Sequence, residues 1–113
     1  MYSWYVDGLI GRAKTWVGGS HIVEKDCEPV AVHMTVREAG RITRPTLIDI
    51  KVDGVSLFAG MNSTPAMLPF QNQKTWTTIS PATLRKGSLL TMDIVQVCEE
   101  TPCRDLTVEL EVE

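Results

Sequence analysis

Polar and apolar residues alternate along several stretches of this chain, with a period of two rather than 3.6. Between Glu28 and Glu38, Val30, Val32, Met34 and Val36 alternate with Ala31, His33, Thr35 and Arg37. From Thr46 to Val52, Ile48, Ile50 and Val52 fall on one side, Asp49 and Lys51 on the other. Near the C-terminus Leu106, Val108, Leu110 and Val112 alternate with Thr107, Glu109, Glu111 and Glu113. Successive side chains of an extended chain point to opposite faces, so each stretch predicts a strand with one face buried. The abundance of Val, Ile and Thr agrees. A further strand is expected from Leu89 to Val97, with Leu90, Met92 and Ile94 turned inward.

Turn residues punctuate these stretches. Asp53-Gly54, between IDIKV and VSLFA, has the form of a two-residue hairpin, in which Gly supplies a positive φ. Ala39-Gly40 and Pro45 bracket another connection, and Lys86-Gly87 precedes the Leu89 strand. The segment from Cys98 to Cys103 is expected to turn that strand into the last one, pairing the two antiparallel. Leu9, Ile10, Ala13, Trp16 and Val17 could share a helical face. Gly8, Gly11, Gly18 and Gly19 would each cost such a helix about 1 kcal/mol, which favours strand and loop. Gly60 to Thr75, with Pro65, Pro69, Asn62 and Asn72, reads as a long connection between sheets, and such loops often carry function. Short antiparallel strands without a convincing helix predict an all-β protein, an antiparallel sandwich or jelly roll.

Composition narrows the range of functions. A chain of 113 residues, 43% of them hydrophobic, suits a single domain with a real core. A domain this small buries only about two thirds of its unfolded surface, which leaves room for association. A net charge of −3 argues against a nucleic-acid binder, which needs a basic stripe to displace counterions. Only Arg37, Arg41 and Arg44 cluster; they make either a solvated turn or a dock for an acidic surface. The N-terminus lacks the pattern of a secretory signal, and no run approaches the ~20 apolar residues of a membrane span. Synthesis in the cytoplasm as a soluble product is the expectation.

Catalytic chemistry finds little support. His33 falls on the polar side of a strand and His21 is expected in a loop, neither within a nucleophile or zinc pattern. Asp49 and Asp93 could pair on neighbouring strands, as calcium ligands or as an acid and base. Alternation instead places both outward, where a carboxylate needs no partner. No metal or other cofactor is expected from three cysteines without paired short spacings. Cys98 and Cys103 flank a tight connection, and either a disulfide or two thiols would suit them. Cys27 is left over as a buried or half-buried thiol. Asn62-Ser63-Thr64 matches a glycosylation acceptor, without a secretory signal to make it meaningful. Tyr2, Trp4, Tyr5 and Trp16 concentrate aromatics near the N-terminus, either filling the end of the core or anchoring an arm to a partner.

Taken in order, LIDIKVDGVSLFAG, KGSLLTMDIVQV and TPCRDLTVELEVE resemble pieces of small structural proteins of tailed-phage virions. The resemblance runs from Glu28 to Glu113 and implies a single jelly-roll-type β-sandwich over 28–113, with an N-terminal arm and first strands over 1–27. It also implies a non-enzymatic capsid cement or decoration protein, or a module of a tail fibre or tail tip. The former expectation carries with it a homotrimer on the outer capsid surface, bound to the major capsid protein or other virion proteins, with no nucleic-acid or membrane partner. Cys98 and Cys103 depart from the pattern, which would have Gly near a tight turn. A rival reading, a carbohydrate-binding sandwich, would rely on Trp76 and Phe70 as mid-chain aromatics.

Overall fold

Where the sequence alternates, the chain forms pleated sheet. The computed structural model of the protein describes residues 1–41, 44–61, 63–98 and 100–113. Among these, the strands are β1 (Tyr2–Leu9), β2 (Ser20–Ile22), β3 (Pro29–Glu38), β4 (Thr46–Val52), β5 (Val55–Ser56), β6 (Ala66–Met67), β7 (Gln73–Trp76), β8 (Leu89–Gln96) and β9 (Arg104–Val112). They make two antiparallel sheets. One has the order β1-β9-β3-β7; the other has β2-β8-β4-β5, with β6 also pairing β4. No helix among the described residues is long and apolar enough to cross a membrane.

The core lies between the sheets, and most of the expected inward residues fill it; Val30, Val52 and Val112, near strand ends, are only half-buried, and Ala31 is buried where the alternation placed it outward. Val32, Met34 and Val36 of β3 and Leu106, Val108 and Leu110 of β9 are buried from one sheet. Ile48 and Ile50 of β4 and Leu90, Met92 and Ile94 of β8 are buried from the other, in the same cluster. Each such side chain contributes roughly 1.5–3 kcal/mol by leaving water, so the alternating pattern is itself the force that closes the sandwich. The Asp53-Gly54 hairpin forms as expected, with φ of 50° and 84°, matching a type I′ turn. Its second arm is short: β5 stops at Ser56, and Leu57 and Phe58 turn into the core.

One expected pairing does not occur. β8 and β9 do not form a hairpin; β8 lies between β2 and β4, and β9 between β1 and β3 in the other sheet. Alternation specifies which face of a strand is buried and is silent about its neighbours. In separate sheets each strand gains a partner on both edges. The connection through Cys98 and Cys103 is therefore an arch between sheets. Gly60 to Thr75 also crosses between the sheets as expected, but it is not loop throughout: it holds β6 beside β4 and most of β7 beside β3. The Asn62 acceptor position lies outside the described residues.

The first 27 residues are built into the sandwich. β1 is an edge strand, and Trp4 points inward at 1% exposure. After Ile10 the chain crosses over and follows β8, with Lys14 N–H donating to Ile94 O and Val17 N–H to Met92 O before β2 pairs regularly. Gly18 is required here, because its φ is 73° and a Cβ would lie 3.0 Å from Trp4 Cβ.

Candidate docking surface

Four residues other than glycine adopt a left-handed backbone among the described residues: Trp16 (φ 54°), Asp53 (φ 50°), Phe70 (φ 69°) and Asp105 (φ 57°). Asp tolerates this region because its short side chain bonds locally. Bulky aromatics do not, and each costs on the order of 1–3 kcal/mol there. Trp16 and Phe70 are also 59% and 69% exposed, so burial of their rings does not offset the strain.

Trp16 is held by a carboxylate beneath it. Its N–H donates to Asp93 Oδ1 at 2.8 Å, while Asp93 Oδ2 accepts from Lys51 Nζ at 2.9 Å. The hydrogen bond to Asp93 raises the Lys51 pKa. Asp49 stands directly opposite Asp93 in the β4–β8 register and accepts from Ser56 Oγ at 2.6 Å. Burial pushes the Asp49 carboxyl above its usual range. The expectation that Asp93 sits outward without a partner is thus corrected. Its face is the outer one, but the Lys14–Val17 segment runs alongside and leaves Asp93 only 8% exposed. An open trough of about 730 Å³ adjoins this segment, lined by Arg12, Lys14, Asp93 and Val95 among others.

Phe70 is held at one end of the sandwich. Its N–H donates to Gly40 O at 2.7 Å, and a turn closed by Gln71 N–H to Leu68 O leaves Leu68 48% exposed beside it. Gly40 belongs to the β3–β4 connection, which carries Arg41 and Arg44, both exposed. Arg41 N–H donates to Thr101 O in the β8–β9 arch. Arg37 completes this end by pairing with Asp105 at 3.2 Å. Asp105 is held below the usual carboxylate range, chiefly by the Gly8 N–H that it accepts at 2.6 Å. Hence the arginine trio, the long loop and the arch, far apart in sequence, meet around one end.

The N-terminal aromatics divide. Trp4 is core, so its expected role as a partner contact is corrected; its inward place in β1 leaves nothing to touch, and Nε1 finds no partner among the described residues. Tyr2 is half-buried, with its hydroxyl accepting from Glu24 N–H. Tyr5 is exposed on the outer side of β1. His21 Nε2–H donates to Ser3 O and its ring meets Trp4 edge-on, while His33 links Glu111 and Thr75 across three strands. Cys27, Cys98 and Cys103 are all free, buried thiols in this structure. No cluster of metal-ligating side chains converges among the described residues.

The sequence left Trp16 as either core filler or partner anchor; its ring is exposed, and its left-handed backbone left no mark in the sequence. Sequence reasoning weighed Phe70 only with Trp76 as a sugar platform; Trp76 is half-buried against the core, its Nε1–H donating to Thr78 O. The available signal for Phe70 was its place in Leu68-Pro69-Phe70-Gln71-Asn72, a turn-forming string with two large apolar residues. No family model, curated protein or solved structure matches the chain.

Proposed function

We propose that the protein is a non-enzymatic structural component of a tailed-phage virion, a cement protein that docks on the assembled head. The observation that carries the docking role is the pair Trp16 and Phe70, large aromatics presented to solvent by backbone conformations that disfavour them. Strain of this kind persists where the surrounding structure holds it and clusters at binding positions. Aromatic and Arg side chains dominate the binding energy of protein interfaces, and Arg41 shares the Phe70 end.

The strand order supports the jelly-roll reading. From β1 to β4 and again from β6 to β9 successive strands lie in opposite sheets, and β1-β9-β3-β7 over β2-β8-β4-β5 is compatible with two Greek keys when β5 and β6, which both pair β4, are counted as one position. As a cement, the protein binds the major capsid protein, or other virion proteins, as a homotrimer. Binding only the assembled shell stabilises that shell by mass action, and many copies add avidity. A second reading, a tail-fibre or tail-tip module, draws support from the position of Leu68 and Phe70 on a loop. Immunogold labelling of purified virions decides between them. Label spread over the head supports cement, label at the tail supports the alternative, and unlabelled virions refute both.

A further inference from the structure

Cys98 lies just past the end of β8 and Cys103 just before β9, so they bound the arch from one sheet to the other. Both are 1% exposed. Thr46 Oγ1 lies 3.7 Å from Cys98 Sγ and 3.7 Å from Cys103 Sγ, so a single hydroxyl touches both sulfurs. The sulfurs can therefore be no farther apart than twice that distance, which places both thiols in one small space. Gly40 walls the same space: a Cβ there would lie 2.6 Å from Cys98 Sγ and 3.2 Å from Cys103 N. The third cysteine, Cys27, is placed by backbone bonds to Leu84 instead.

We propose that Cys98 and Cys103 are an oxidisable pair that closes into a disulfide, tying the two sheets together beneath the end that carries Arg41 and Phe70. Each thiol gives up its proton and the sulfurs join. The two electrons pass to a disulfide oxidant such as oxidised glutathione, which leaves as two thiols. Burial holds the Cys103 thiol above its usual range, and closure, which proceeds through the thiolate, quickens as pH rises. This inference rests on the thiol geometry alone and stands whether or not the protein belongs to a virion.

The test uses the purified full-length chain, incubated with oxidised glutathione, unfolded, alkylated and measured by intact mass and peptide mapping. Reduced protein should take one alkyl group on each of its three cysteines. Oxidised protein should take one, on Cys27, with Cys98 linked to Cys103. Its Tm should rise by roughly 8 °C, the entropic effect of closing so short a loop, and fall back with dithiothreitol. Cys27→Ser should close the same bond, which keeps the test independent of whether Cys98→Ser or Cys103→Ser folds. Full alkylation after oxidation, glutathione adducts in place of the internal bond, or a link to Cys27 would overturn the proposal.

Discussion

Replacing Asp93 separates a carboxylate that is solvated from one that organises the surface. In Asp93→Ala, Trp16 N–H loses its acceptor and Lys51 Nζ its partner, at 2.8 and 2.9 Å in the native chain. A hydrogen bond to a charged group contributes about 1.5–3 kcal/mol when its donor would otherwise be left unsatisfied. The Lys51 side chain is 35% exposed, so its ion pair adds no more than about 1 kcal/mol. Against this, removing Asp93 relieves its repulsion of Asp49 opposite, and Lys51 can swing toward Asp49. The net expectation is a loss of about 2 kcal/mol. Asp93→Asn keeps an acceptor for Trp16 and should cost under about 1 kcal/mol. Urea unfolding followed by tryptophan fluorescence reads both, with unchanged m-values as the condition for comparing them. If Asp93→Ala matches the native protein in stability, the carboxylate is merely solvated and the account of how Trp16 is held is wrong.

Three further expectations follow from the same geometry. Gly40→Ala, whose Cβ would meet Cys98 Sγ at 2.6 Å, should destabilise by about 1–3 kcal/mol in chemical denaturation. Phe70→Gly removes the strain of a left-handed aromatic and should stabilise by about 1 kcal/mol, read as a rise in Tm. Asp49 has a carboxyl raised in the folded state, so its contribution is full below the ordinary carboxylate range and is lost as pH rises through its folded value. Asp49→Asn should therefore gain on the native protein between acid and neutral pH in a series of urea titrations; a constant difference between the two would refute the shift.

Much of the sandwich was legible because burying one face of a strand leaves a mark at every second residue. Val32, Met34, Ile48, Ile50, Leu90, Met92, Leu106 and Leu110 all went where that mark placed them. Partnership left no such mark. β8 and β9 adjoin in sequence, yet each finds its neighbours among β1, β2, β3 and β4, because hydrogen-bonding edges look alike from any strand. The surface was legible only in part. Arg37, Arg41 and Arg44 are close in sequence, but that Gly40 O meets Phe70 N–H depends on how the long loop returns. Asp93 misled for a related reason. Its parity in β8 is that of an outward residue, while its burial comes from residues 14–17, roughly eighty positions earlier, lying along the sheet edge.

The proposed docking through exposed aromatics is read out by co-sedimentation. Trp16→Ser combined with Phe70→Ser removes both rings while leaving the core untouched, and an unchanged or higher Tm would verify the fold. Native protein should sediment saturably with purified phage heads that lack it, and the double variant should lose at least about tenfold in affinity. Equal binding by the folded double variant, or no binding by the native protein, would contradict the account.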